Sequence, residues 1–353
     1  MKVNMQSDRR YDIDWLRVIA IGMLLVYHSS IGFQPWGALI RFIQNDQFSE
    51  PLWVLMSMIN IWRIPFLFFV SGMGVWFALR NRTWKTLIQE RSKRILLPFL
   101  VGIFLWVPLH QNIWQVYYSQ PMLYLPNPGH LWFLGNIFSY VLLLTPLFFF
   151  LKINIASPWV KRVKQMFSHP LFLLGLIIPF VLEAELMQPE SFELYAMTWH
   201  GFFLGLVAFL VGFFMAFSGQ EIFVNLSRYR CITVSLAVGI YLMRVLYFEL
   251  RTPDYLMSIE SCLWIYAIVG LGYRYLNRSS PVLTYLSQAA YPVYIIHMMV
   301  LYGGSVLIFP LTMNALWKLL LLNGFTFGGC FLIYELIIRR IKPIRSLFGL
   351  KSN

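Results

Sequence analysis

The chain has 353 residues, 59% of them hydrophobic and only 12% charged, with a mean hydropathy of +0.64. A soluble domain is about 45–50% apolar and about 25% charged, so a water-soluble fold of this length is excluded and a lipid-embedded one is indicated. The net charge of +13 does not mean nucleic acid, because most Lys and Arg sit in short segments between apolar runs, where they face anionic lipid.

A spanning helix needs about 20 mostly apolar residues, and ten runs qualify: 13–32, 58–79, 95–114, 131–151, 170–186, 201–217, 231–248, 256–273, 286–307 and 315–338. They predict an all-α polytopic bundle forming a single domain over 1–353, with short tails 1–12 and 339–353. The first run opens with Asp12, Asp14 and Arg17 and ends at Tyr27-His28-Ser29-Ser30 with no small-residue cleavage site, so it is expected to be retained as a helix. Arg17 and His28 are eleven residues apart; at 100° per residue they share one face, about 16 Å apart along the axis. Asp14, three residues before Arg17, can pair with it. Ionisable groups at membrane depth cost about 2.5–3.5 kcal/mol or more and are functional candidates by default. The bland alternative makes Asp14 and Arg17 interfacial anchors and His28 a satisfied buried histidine.

The second run carries Arg63, then Ser71-Gly72, which suits either close helix packing or a lining role. The third is entered through Arg91-Ser-Lys93-Arg94, which is either interfacial anchoring or a phosphate clamp. The fourth opens with Pro128-Gly129-His130-Leu-Trp132. Arg244 and Glu260, in the seventh and eighth, could neutralise each other as a structural pair. The ninth carries Tyr291-Pro-Val-Tyr294-Ile-Ile-His297. A second histidine at depth makes a purely structural reading of both harder.

Charge asymmetry orients the bundle. With the N-terminus inside, one set of alternate loops holds Arg80, Arg82, Lys85, Arg91, Lys93 and Arg94, then further basic clusters, and finally Arg339, Arg340, Lys342, Arg345 and Lys351. The opposite set holds only Arg41, Arg251 and Lys318. Both termini are therefore expected in the cytosol. Outer segments carry Trp36, Trp53, Trp114, Tyr117, Tyr118, Tyr124, Trp132 and Trp199, either an interfacial aromatic belt or, in part, a sugar-stacking surface. The three cysteines, Cys231, Cys262 and Cys330, are far apart and indicate neither a disulfide framework nor a metal site. No phosphate-binding loop, nucleophile elbow or dinucleotide fingerprint occurs in a credible context, which argues against an ATP-driven pump.

Taken in order, several segments resemble one family: Asp14-Trp-Leu-Arg17 with ten residues between Arg17 and His28, Phe68-Phe-Val-Ser71-Gly72, Arg91-x-x-Arg94-Ile-x-x-Pro98, His130-Leu-Trp132-Phe-Leu, and Ser287-x3-Tyr291-Pro-Val-Tyr294-Ile-Ile-His297. The set resembles the acyltransferase 3 family of bacterial membrane O-acyltransferases, nearest its branch of periplasmic glucan succinyltransferases. The resemblance implies a multi-pass protein of the bacterial inner membrane with no tightly bound cofactor. It would move acetyl or succinyl from cytosolic acyl-CoA to a hydroxyl of an extracytoplasmic glycan or glycolipid. It implies His28 as the leading catalytic residue, with Arg17, Asp14 and His297 beside it. Arg91, Lys93, Arg94 and Arg17 would bind CoA phosphates. Arg63, Ser71, Gly72, His130, Trp132, Tyr291, Tyr294, Arg244 and Glu260 would line the acyl and acceptor path. Membrane lipids are the other expected partners, and a homodimer is left open. No segment is long enough for the extracytoplasmic hydrolase-like domain that some relatives carry, so the bundle is expected to recognise the acceptor itself or hand off to a separate protein. The competing class is a transporter or flippase for a sugar or lipid-linked substrate, but the paired broken helices of inverted repeats are not evident.

Overall fold

The computed structural model describes residues 9–80 and 82–350, which are mostly helical with no strand among them. Residues 1–8 and 351–353, including the expected cytosolic cations Lys2 and Lys351, lie outside the described residues. In chain order the helices are α1 Tyr11–Ile31, α2 Glu50–Leu79, α3 Trp84–Tyr117, α4 Gly129–Ile153, α5 Pro158–Ser168, α6 Phe172–Met187, α7 Trp199–Ser218, α8 Glu221–Tyr247, α9 Asp254–Tyr275, α10 Pro281–Ile308, α11 Ala315–Ile338 and the short α12 Lys342–Leu347. Among the described residues, nine are long and apolar enough to cross a membrane, and the bent pair α5–α6 would make a tenth crossing.

The expected fifth span, 170–186, corresponds to α6, which is shorter than the other crossings; what the sequence did not show is that α5 precedes it and meets it at a 92° bend. Pro170 sits at the corner, and the helix is interrupted again just before Pro179, because proline lacks the N–H that would continue the ladder. Lys161 and Arg162 on α5 are exposed while Val160 and Phe167 are buried, the pattern of a helix lying along the membrane interface. Elsewhere the spans match the sequence expectation, and all but α11 start earlier. α2 begins at Glu50 and α10 at Pro281, each with proline in its first turn, a position pre-organised for helix starts. Hydropathy marks the stretch at membrane depth, whereas the helices run on into the polar interface.

α3 contains two π-helical turns, Ser92–Leu96 and Gly102–Trp106. Each lies just before a proline, Pro98 or Pro108, where a carbonyl is left without its usual partner. The most intimate helix pairs are α2 with α7 and α8 with α9, while α10 packs on α1 and α11. The α2–α7 contact is backbone to backbone. A Cβ at Gly72 would overlap the carbonyl of Phe209, and one at Gly212 would overlap that of Phe69. Glycine permits this approach, as small residues do at membrane-helix interfaces.

Overfilling this seam has a measurable consequence. Gly212→Leu should lower stability by about 1–3 kcal/mol, whereas Gly22→Ala, with open space around its Cβ position, should be neutral or slightly stabilising because alanine favours the helix. Thermal unfolding in detergent reads the difference; equal midpoints for the two variants would contradict the packing.

Candidate active site

α1, α2, α3, α4 and α10 enclose a cavity of about 720 Å³, within the size range of small-molecule sites. Arg17 and His28 both line it, as their shared helical face requires. Around Arg17, the same end of the cavity is formed by Arg91, Arg94, Ser287, Tyr291 and Gly349. Asp14 stands outside the cavity and fixes Arg17, with 2.6 Å between Arg17 Nη2 and Asp14 Oδ1, while Arg9 holds its other oxygen at 2.9 Å. Lys93 is exposed and does not line the cavity. Three guanidinium groups thus gather at one end, where an anion would be met by planar, forked donors.

His28 lies about three helical turns beyond, and its environment is set by a chain of hydrogen bonds. His297 Nδ1 lies 2.6 Å from the carbonyl oxygen of Tyr294. A carbonyl only accepts, so this nitrogen carries the proton. In a neutral ring the other nitrogen, His297 Nε2, is then an acceptor, and it sits 2.8 Å from His28 Nδ1. His28 Nδ1 must therefore donate, which leaves His28 Nε2 with a free lone pair. The two rings are nearly coplanar, 16° apart with 5.1 Å between centroids, as an in-plane hydrogen bond requires. His297 is fully buried and His28 stands between it and the cavity.

His130, Trp132, Tyr294 and Ser71 also line the cavity. Tyr294 donates its hydroxyl to the carbonyl of His130 at 2.6 Å, tying α10 to the start of α4. His110, Gln111 and Trp114 on α3, and Tyr302 on α10, complete the wall. Sequence reasoning missed His110 and Gln111; the signal was the polar His110-Gln111-Asn112 triplet closing the third apolar run.

The remaining sequence candidates lie off the cavity wall. Gly72 faces α7. Arg63 is buried, its guanidinium 3.8 Å from the ring centre of Tyr27, with one bond of 3.2 Å to Asn60 Oδ1 and with Nε and Nη1 unpartnered. Arg244 and Glu260 form a fully buried pair, with Nε and Oε2 2.9 Å apart. Arg244 also donates to the Ser57 carbonyl at 3.1 Å, and Glu260 accepts from Trp264 Nε1 at 3.3 Å. The structural alternative weighed from sequence describes this pair.

The far mouth is framed by Leu39, Ile40 and Arg41 on one loop and Leu194 and Met197 on another. Buried Lys318 pins the first loop, reaching Asn45 Oδ1 and Asp46 Oδ1 at 3.0 Å and the Phe309 carbonyl at 2.7 Å. That hydrogen bond and charge hold the Asp46 carboxyl below its ordinary range. Tyr302 donates to the Arg41 carbonyl at 2.7 Å. Among the described residues no grouping of His, Cys, Asp or Glu is arranged to hold a metal ion.

A family model described as an acyltransferase domain matches residues 10–335. No curated protein and no solved structure gives a significant match.

The buried ion pair yields a test of its structural role. Arg244→Ala strands the Glu260 carboxylate and should cost about 3–5 kcal/mol, while Arg244→Met with Glu260→Leu should recover most of the loss. Thermal unfolding of both variants checks this; a single variant as stable as the parent would contradict it.

Proposed function

The chain belongs to the acyltransferase 3 family of membrane proteins, and on that footing we propose that it transfers a short acyl group, acetyl or succinyl, from acyl-CoA to a hydroxyl of an extracytoplasmic glycan or glycolipid. We assign the Arg17, Arg91 and Arg94 end to the cytosol of a bacterial inner membrane, in keeping with the basic loops on that side. The CoA phosphates bind these three guanidinium groups. The pantetheine arm between its phosphate and its sulfur is twelve bonds long and spans roughly 14 Å when extended at the reach of an amide chain. Arg17 and His28 are about 16 Å apart along α1. An arm anchored at one therefore brings its thioester to the other.

The observation that carries the reading is the lone pair on His28 Nε2, left free by the bonds from His28 to His297 and from His297 to the Tyr294 carbonyl. As the acceptor hydroxyl attacks the thioester carbonyl, His28 Nε2 takes its proton. The tetrahedral intermediate collapses, the C–S bond breaks, and the thiolate takes the proton back from the imidazolium. The products are an ester and free CoA. The His28–His297 bond holds the ring in the tautomer this requires and shares the positive charge that develops on it.

Removal of the base tests the assignment. His28→Ala should lower acyl transfer by about 10²–10⁴-fold with membrane insertion intact, followed as free CoA released by purified protein and as the mass of the acylated product. Transfer at the parent rate would refute the assignment, and an intact CoA thioester beside a translocated substrate would favour the transporter reading. The acyl group itself can be probed through Arg63. Arg244 is committed to Glu260, whereas Arg63, lying over the ring of Tyr27, leaves Nε and Nη1 unpaired, and a buried carboxylate needs such a cation. If the donor is succinyl-CoA, Arg63→Met should reduce succinyl transfer more than acetyl transfer; equal losses would exclude that use of Arg63.

A further inference from the structure

Three histidines line the half of the cavity away from the arginines, and each has one ring nitrogen fixed. His28 is fixed as described. His130 Nε2 lies 3.1 Å from the carbonyl oxygen of Ile295, so it donates. His110 Nδ1 lies 3.2 Å from the carbonyl oxygen of Trp106, so it donates as well. A neutral imidazole with one nitrogen donating presents the other as an acceptor. Among the described residues, the histidine ion-paired with a carboxylate is His200, elsewhere in the bundle; nothing comparable holds these three rings in the charged form. Their ring centres follow one another through His297, with 5.1 Å from His28 to His297, 5.0 Å from His297 to His130 and 5.6 Å from His130 to His110.

The result is a cavity polarised by hydrogen-bond type. One end gathers the guanidinium donors of Arg17, Arg91 and Arg94. The other offers lone pairs: His28 Nε2, His130 Nδ1, His110 Nε2 and the Oε1 of Gln111. His130 Nδ1 and Gln111 Oε1 are shielded and have no partner in the protein. Buried acceptors left in this state are costly unless something donates to them. A metal ion would be the other way to satisfy several imidazole lone pairs, but no grouping among the described residues is arranged to hold one. A ligand with several hydroxyl donors satisfies them.

We propose that His130 is a specificity residue whose Nδ1 accepts a hydrogen bond from a hydroxyl adjacent to the one that is acylated, with His110 Nε2 and Gln111 Oε1 extending the same acceptor face. The acceptor is thereby selected as a polyol over a simple alcohol of the same size. This rests on the acyl-transfer reading and adds to it which residues inspect the neighbouring hydroxyls.

The two nitrogens of His130 can be separated by substitution. Glutamine places its amide near the Nε2 position, keeping a donor for the Ile295 carbonyl while removing the Nδ1 acceptor. Asparagine places its oxygen near the Nδ1 position, keeping the acceptor while losing the bond to Ile295. The full chain, purified in detergent with acetyl-CoA, is offered glycerol, 1,2-propanediol and 1-propanol in competition, and the esters are quantified by mass spectrometry. The parent protein should prefer glycerol to 1-propanol by about tenfold per primary hydroxyl, the size of one or two net hydrogen bonds. His130→Gln should abolish that preference, and His130→Asn should retain it with a lower unfolding midpoint. No preference in the parent, a preference that survives His130→Gln, or one lost in His130→Asn but kept in His130→Gln would overturn the proposal. Absence of both ester and CoA release in the parent would instead defeat the acyl-transfer reading on which it rests.

Discussion

The hydrogen bond from His28 Nδ1 to His297 Nε2 is the constraint on which the rest of the site turns. It exists because α10 brings His297 against α1, and because the Tyr294 carbonyl one turn back fixes the His297 proton. The main chain thus dictates the tautomer of a ring on another helix. Neither histidine needs a carboxylate partner for this, unlike the common arrangement in which an acid orients the base. In a low-dielectric bundle a neutral orienting chain avoids the desolvation penalty of a buried anion. The bundle does bury an ion pair, Arg244 with Glu260, but away from the cavity.

Around this relay the cavity wall divides its chemistry along α1. Guanidinium groups at the Arg17 end face an anion, and imidazole and amide lone pairs at the other end face hydroxyls. The structural elements serve that division. Glycine contacts between α2 and α7 bring the backbone close behind Ser71, and the π-helical turns of α3 precede the prolines of a helix that supplies Arg91 and Arg94 at one end and His110 and Gln111 at the other. The loop pinned by Lys318 forms one lip of the far mouth.

Much of this was legible in the sequence. Apolar run lengths located the crossings, since lipid leaves the helix as the way to satisfy every backbone group. The eleven-residue spacing put Arg17 and His28 on one face before any tertiary contact was known. What stayed hidden depended on packing between distant segments. Nothing in the residues around His28 says that His297 is its partner, 269 positions away. Arg63 and Gly72 look like lining residues in a linear motif, yet the rotation of α2 turns Gly72 to α7 and sets Arg63 behind Tyr27. The bend between α5 and α6 stayed hidden because hydropathy does not register the corner at Pro170. His110 was overlooked because it closes an apolar run as interfacial residues often do.

The tautomer of His28 can be observed directly. Nitrogen-15 NMR of histidine-labelled protein, with His28 and His297 assigned by loss of their signals in substituted chains, distinguishes the protonated from the bare nitrogen of each neutral ring. Both rings should carry their proton on Nδ1, leaving His28 Nε2 bare. A His28 ring protonated on Nε2, with its bare nitrogen turned to His297, would contradict the relay and remove the base from the cavity.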